Sequence, residues 1–373
     1  RERATREAVR GMPRDEYEKN LHLGWEGGDP VLANGEVQIP LYDGTAQGSF
    51  GIQSQPANLT DLDTLYTDRA TAFIRDKSNG DTPFFLYFAF QHTHHPDYAD
   101  SMFWNTTDRG MMGDSLASLD WSVGEVLNAL KQSGVEDNTL IFFSADNGPS
   151  LMRQQRGGNA GLLRCGKGTT YEGGQRVPGI AVWPGVIPAG HVVRDIAAQL
   201  DVFPTVLSLL SLPLPTDRHY DGVDMSPALL GKGPSPRESF FYFYKNVAGP
   251  DDLFAARWKE WKLHFKTAGS HCPNDYMVPS CRNNAPITTH NPPLLFNLNH
   301  DPGEQVPLDA TDPMFHWVVE EIQRQVADLK ASQGLFGKAQ IGPSDPDAQP
   351  CVKPSCKTHS KTDLGKCCRT NPY

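Results

Sequence analysis

Continuous apolar runs of strand length alternate with helical patterns through the first part of the chain, and this alternation restricts the possible folds most strongly. A run that is apolar along its whole length is typical of a strand buried on both faces, as in a parallel sheet covered by helices. We therefore predict an α/β domain with a mixed, mainly parallel sheet between helices. The predicted elements are helix 61–77, strand 83–90, helix 116–130, strand 139–144, strand 177–183 and a helix that begins near Asp201.

The pattern changes after residue 235. Short aromatic segments at 239–244 and 253–265 alternate between apolar and polar positions and are separated by turn-forming residues, which indicates an antiparallel sheet. An amphipathic helix over about 314–333 follows. The second part therefore predicts a smaller antiparallel sheet with a helix over one face.

Length and charge limit the class of protein further. Because 373 residues exceed the ~250–300 that one core usually holds, we predict two domains, 1–235 and 236–373. Lys and Arg number 34 against 44 Asp and Glu, and the net charge of −10 argues against nucleic acid or an anionic membrane as a partner. No apolar run reaches the ~18–20 residues that a transmembrane helix needs.

The cysteines and two sequons predict a secretory route. The cysteine spacing lacks the paired C-x₂-C of structural zinc sites, so we favour disulfides over zinc. Asn58 and Asn105 each open an Asn-x-Thr sequon in a polar stretch, where a glycan could face water. The seven cysteines are Cys165, Cys272, Cys281, Cys351, Cys356, Cys367 and Cys368.

Polar side chains follow two of the predicted strands, where α/β sheets usually carry their sites. His92 and His94 follow the run 83–90 within a cluster of three histidines, for which a polar loop near the surface is the alternative to a functional site. Asp146 and Asn147 follow the run 139–144 and offer the oxygen ligands that Ca²⁺ or Mg²⁺ prefers. An ordinary Asp-Asn-Gly turn is the alternative, and two oxygens are too few for a complete shell.

A glycine-rich segment, 156–174, carries Arg164 and Lys167 and is typical of a loop that holds an anion. Its Gly-Lys-Gly-Thr lacks the glycine spacing of a phosphate-binding P-loop. We therefore reject the nucleotide interpretation.

Asp146-Asn-Gly-Pro149 and Arg164-Cys-Gly-Lys-Gly-Thr-Thr-Tyr-Glu-Gly-Gly174, taken in this order, resemble the arylsulfatase family. The similarity extends back to His92-Thr-His94 and forward to Asp301-Pro-Gly-Glu304, over nearly the whole chain. It implies an alkaline-phosphatase-like fold and hydrolysis of sulfate esters, aryl or glycolipid, by a formylglycine made from a cysteine. It also implies a divalent cation, usually Ca²⁺.

The resemblance assigns roles to individual residues. Asp146 and Asn147 match the second pair of metal ligands of the family. His94 and Lys167 match its sulfate-binding side chains, and His92 belongs to the same motif with a weaker assignment. Cys165 matches a cysteine that bridges to the C-terminal domain, and Cys281 or Cys272 is its expected partner.

Two features of the arylsulfatase family are absent from this 373-residue sequence. The formylglycine signature, Cys or Ser followed by x-Pro-x-Arg, occurs nowhere in the sequence, and the first pair of Asp ligands is missing. Both would lie upstream, so we expect this chain to be the C-terminal part of a longer hydrolase and to be inactive alone. The alternatives are a secreted, non-catalytic protein that binds sulfated ligands, and a phosphate-ester hydrolase of the same fold.

The resemblance and the cysteines together predict a lysosomal or secreted protein whose partner is a small-molecule or lipid sulfate ester. A monomer and a homo-oligomer are both compatible with this sequence.

Overall fold

The computed structural model describes residues 41–44, 50–54, 57–94, 97–217, 219–244, 253–268 and 287–331. The strands are β1 (Leu41–Gly44), β2 (Phe50–Ser54), β3 (Ile141–Ser144), β4 (Gly179–Val182), β5 (Ser239–Phe243), β6 (Leu253–Trp258), β7 (Trp261–Ala268) and β8 (Ile287–Asn297). The helices are α1 (Leu59–Lys77), α2 (Gly110–Gln132), α3 (Glu172–Gln175), α4 (Val202–Leu209), α5 (Ser226–Leu229) and α6 (Pro313–Ala331). The contacts divide the chain into two compact units between Val135 and Glu136.

The first unit is built on two long helices, as the sequence predicted. Asn58 caps α1 by accepting a hydrogen bond from the backbone N of Thr60. The helices α1 and α2 meet through polar side chains as well as apolar ones, since the hydroxyl groups of Thr67 and Ser122 lie 2.6 Å apart in the interior. A buried hydroxyl is costly unless it is hydrogen-bonded, so this pair fixes how α1 and α2 pack.

The prediction of a strand at 83–90 is wrong: these residues are described, and they form no strand. The segment is extended, with exposure alternating along it, and Phe85 and Tyr87 remain 78% and 80% exposed. A strand requires a hydrogen-bonded neighbour, and an apolar run alone does not supply one.

The second unit begins with β3 and β4, which confirm the strands predicted near 139–144 and 177–183. They pair antiparallel, with Ile141 opposite Val182 and Ser144 opposite Gly179. Among the described residues all strand pairs are antiparallel, so the parallel pairing expected from the apolar runs is not represented there.

The C-terminal part of this unit is a four-stranded antiparallel sheet in the order β5-β6-β7-β8, with α6 packed on one face, as predicted. The edge strand β8 contains Pro292 and Pro293. Proline has no backbone N–H and is tolerated on an edge strand, where one side has no neighbouring strand to hydrogen-bond. Leu263 of β7 and Ile322 of α6 belong to the same buried cluster. Alternate side chains of a strand face opposite sides, so Lys262 and His264 lie on the face away from α6.

Within the part of the chain that the structure describes, no helix combines the length and apolar character needed to cross a membrane.

We predict that Ile322→Ala lowers the free energy of unfolding by about 2–5 kcal/mol, because Ile322 is 1% exposed and truncation leaves a cavity between α6 and the sheet. The matched control Val306→Ala, at a position 75% exposed, should change it by less than about 0.5 kcal/mol. Urea unfolding followed by tryptophan fluorescence measures both. Similar losses for the two variants would contradict the packing described.

Candidate active site

In the first unit, two histidines of one turn have different surroundings. The Nε2 of His92 lies 2.6 Å from Oδ2 of Asp63, and both side chains are fully buried. The same carboxylate of Asp63 accepts a hydrogen bond from Ser118 on α2, and the ring of Tyr98 lies 4.4 Å from that of His92. His94, two residues further on, is exposed at the surface of the turn.

The two histidines therefore differ in burial: the His92 side chain is buried, and His94 is exposed. Asp63 fixes the orientation of the His92 ring and thereby the start of the turn. The turn is closed by the backbone N of His94, which donates to the O of Gln91 at 2.9 Å. His94 is thus exposed to solvent on a turn whose backbone is held by a hydrogen bond.

In the second unit, the turn after β3 places Asp146 and Asn147 at the end of the strand, as predicted. Asp146 is exposed, and Asn147 donates its Nδ2 to the O of Gly148 at 2.9 Å. The amide oxygen of Asn147 is therefore the atom available to a cation. A carboxylate and an amide oxygen are the donors that Ca²⁺ and Mg²⁺ prefer.

The glycine-rich segment lies directly against this turn. The N of Gly148 donates to the O of Gly174 at 3.0 Å, and the N of Lys167 donates to the O of Pro149 at 2.8 Å. A Cβ on Gly148 would sit 1.8 Å from the O of Gly173, so no other residue fits there. The glycines permit two backbone segments to approach, which brings half-buried Lys167 beside the Asp146 turn.

Behind the segment lies a cluster of buried ionisable side chains, which we call the buried cluster: Glu172, Lys262, His264 and Glu304. The Nζ of Lys262 lies 2.9 Å from Oε1 of Glu172 and 3.5 Å from Oε1 of Glu304. The Nε2 of His264 lies 2.7 Å from the same oxygen of Glu304. Lys262, His264 and Glu304 are all fully buried.

The pKa values of the buried cluster follow from these contacts. Burial would raise the pKa of Glu304, but Lys262 and His264 lower it to about 2. Burial lowers the pKa of His264, so its imidazole is neutral at pH 7. Burial also acts to lower the pKa of Lys262, but the carboxylates of Glu304 and Glu172 outweigh it and raise that pKa. The two carboxylates and Lys262 therefore stay ionised together.

The remaining predicted site residues are the cysteines and the two sequon asparagines. Of the seven cysteines, Cys165 lies in the described residues and is buried, whereas Cys272, Cys281 and the four of the C-terminal tail lie outside them. Of the sequons, Asn58 is exposed and Asn105 is half-buried. Within the described residues, no group of three or more His, Cys, Asp and Glu side chains is arranged to hold a metal ion. Asp146 and Asn147 by themselves offer too few oxygen atoms for a complete cation shell.

Comparison with known proteins decides the family. A family model described as Sulfatase matches residues 16–212, and one described as the C-terminal region of aryl-sulfatase matches residues 235–369. Arylsulfatase A of Bos taurus is 40% identical over 346 residues, which cover 91% of this chain and 65% of the relative.

This chain belongs to the sulfatase family.

Other relatives agree with that assignment. Arylsulfatase A of Homo sapiens is 40% identical over 327 residues and N-acetylgalactosamine-6-sulfatase of Canis lupus familiaris is 34% identical over 364 residues. The chain covers 63% and 66% of their respective lengths. The crystal structure of the PsFucS1 sulfatase from Pseudoalteromonas sp. superposes with a TM-score of 0.70 at 27% identity, over 81% of this chain and 59% of that one. The predicted alkaline-phosphatase-like fold class is thereby confirmed.

The sequence interpretation of this sulfatase chain did not anticipate the buried cluster. A signal was present, because Lys262 and His264 alternate with apolar residues in a strand pattern whose other face is apolar. Their partners, however, are distant in sequence: Glu172 lies 90 positions before Lys262 and 132 before Glu304. Only the fold brings them together.

The lowered pKa of Glu304 predicts a pH-dependent stability. A carboxyl whose folded pKa lies below its ordinary 4.5 stabilises the fold above pH 4.5, and this contribution is lost as the pH falls towards about 2. The free energy of unfolding of wild type minus that of Glu304→Gln should therefore shrink by about 2 kcal/mol between pH 6 and pH 3. Urea titrations at both pH values measure this difference.

The control for that comparison is Glu321→Gln, because Glu321 pairs with exposed Arg324 on the surface of α6. Its difference from wild type should stay small at both pH values. A Glu304→Gln difference that is equal at pH 6 and pH 3 would contradict the buried ion pair.

Proposed function

We propose that this chain forms the sulfate-binding part of a sulfuric ester hydrolase that acts on aryl or glycolipid sulfates. The supporting observation is that Lys167 lies against the Asp146-Asn147 turn through the bond from its own N to the O of Pro149. A cation ligand set and an anion-binding ammonium group are thus carried by touching backbone segments. The family assignment and the relatives named above support the same reaction class.

Each residue has a distinct proposed task. Lys167 neutralises a non-bridging sulfate oxygen, whose charge must be stabilised while the S–O bond breaks. His94 hydrogen-bonds the sulfate from its exposed position, and Asp146 and Asn147 hold part of the shell of a Ca²⁺ or Mg²⁺ ion. When present, the cation supplies fixed positive charge, and a formylglycine supplies the hydrated aldehyde that attacks sulfur.

The nucleophile is proposed to lie outside these 373 residues, because the sequence contains no Cys-x-Pro-x-Arg or Ser-x-Pro-x-Arg. The cysteines and sequons further support a lysosomal or secreted protein. For the domains we retain the division into 1–235 and 236–373, and for Cys165 a disulfide to Cys281 or Cys272.

We predict that Lys167→Ala and His94→Ala each lower kcat/KM for 4-nitrocatechol sulfate at least tenfold in the full-length protein, or about 1.4 kcal/mol of transition-state stabilisation. Lys232→Ala is the matched control, since Lys232 also lies between two glycines but is exposed. His300→Ala is the control for the exposed histidine. Rates of correctly folded Lys167 and His94 variants that equal those of the controls would refute the assignments.

We also predict that residues 1–373 alone do not release 4-nitrocatechol, because they lack a nucleophile, whereas the full-length protein does. The coding sequence upstream of Arg1 should contain Cys-x-Pro-x-Arg. Turnover by the isolated chain would contradict this proposal. Absence of that signature, together with an inactive full-length protein, would favour the alternative of a secreted protein that binds sulfated ligands.

A further inference from the structure

Glu304, the last residue of Asp301-Pro-Gly-Glu304, connects the C-terminal sheet to the glycine-rich segment. Its Oε1 accepts a hydrogen bond from His264, and its Oε2 accepts one from the backbone N of Glu172 at 2.6 Å. Its backbone O accepts one from Nη1 of Arg164 at 2.7 Å. One residue thus binds two points of the segment while its side chain is held by β7.

The two residues of the segment that Glu304 binds lie on either side of Lys167 in the sequence. Arg164 lies three positions before Lys167, and Glu172 lies five positions after it. The N of Gly173 donates to the O of Arg164 at 2.8 Å and closes the segment into a loop, residues 164–174. The loop that carries Lys167 is therefore fastened at its base.

The composition of the buried cluster argues for a positioning role. Removing charges from water costs free energy, and apolar residues of similar size often stabilise a fold as well as a buried ion pair does. Buried ion pairs and hydrogen bonds instead fix the relative position of the segments that carry them, because these interactions depend on distance and angle. Here that placement sets where residues 164–174 lie against β7.

We propose that Glu304 is a positioning residue for Lys167: it fixes loop 164–174 so that the ammonium group of Lys167 meets the sulfate group of the substrate. This role rests on the proposed function of Lys167. The C-terminal sheet thereby contributes to substrate binding through Glu304 without touching the substrate.

The first test is independent of catalysis. Glu304→Gln keeps the size of the side chain but removes its charge, so amide hydrogen exchange in residues 164–174 should accelerate at least tenfold in the chain as it stands. Exchange in β6 reports the overall loss of stability and should therefore accelerate less than exchange in 164–174, and Glu321→Gln on α6 should change neither. Unchanged exchange in 164–174, or equal acceleration in β6, would overturn the proposal.

The second test asks whether Glu304 acts through Lys167. In the full-length protein, Glu304→Gln should raise KM for 4-nitrocatechol sulfate and lower kcat/KM at least tenfold. In a Lys167→Ala background the same substitution should lower kcat/KM less than twofold, because the group that it positions is already gone. An equal loss in both backgrounds would show that Glu304 acts only through general stability and would overturn the proposal.

Two further outcomes are distinguishable. If the wild-type full-length protein hydrolyses no sulfate ester, the proposed function fails, and the exchange experiment still decides whether Glu304 fixes the loop. If Glu304→Gln does not fold, His264→Gln weakens one donor to Glu304 while the charge of Glu304 remains. His264→Gln should then give about threefold faster exchange in 164–174, and no change there would overturn the proposal.

Discussion

The second unit depends on the ion pair between Lys262 and two carboxylates in its interior. Lys262 is fully buried, and its ammonium group is placed between Glu172 of the glycine-rich segment and Glu304 of the turn that follows β8. A buried ammonium without partners would deprotonate or unfold its surroundings. The segment, the sheet and the turn are consequently constrained to one arrangement.

The candidate site in the second unit is held in place by this buried ion pair. Glu172 lies near the end of the loop that carries Lys167, and the glycines let the backbone of this loop hydrogen-bond to the backbone of the Asp146 turn. The first unit follows the same principle with a different pair, since the buried contact between Asp63 and His92 supports the turn that exposes His94. In each unit, a buried pair of polar or charged groups holds a turn or loop that carries a proposed sulfate-binding side chain.

Local sequence patterns were sufficient for much of this structure. Helices α1, α2 and α6 and the C-terminal sheet follow from spacing and capping, because amphipathic periodicity and turn residues act over short distances. The run 83–90 was misassigned, because strand formation depends on a neighbour that the run itself does not encode. Asp146, Asn147 and Lys167 were found as candidates because they sit in short motifs. The buried cluster was missed because the partners of Lys262 and His264 are distant in sequence, 90 positions away for Glu172 and Lys262 and 40 for Glu304 and His264.

The proposed selection of a sulfate ester by these groups is tested by the substrate preference of the full-length protein. The measurement compares kcat/KM for p-nitrophenyl sulfate with that for p-nitrophenyl phosphate, which share a leaving group and differ in the transferred oxyanion. We expect the protein to prefer the sulfate at least about a hundredfold, or roughly 2.7 kcal/mol. Equal turnover, or a preference for phosphate, would contradict it.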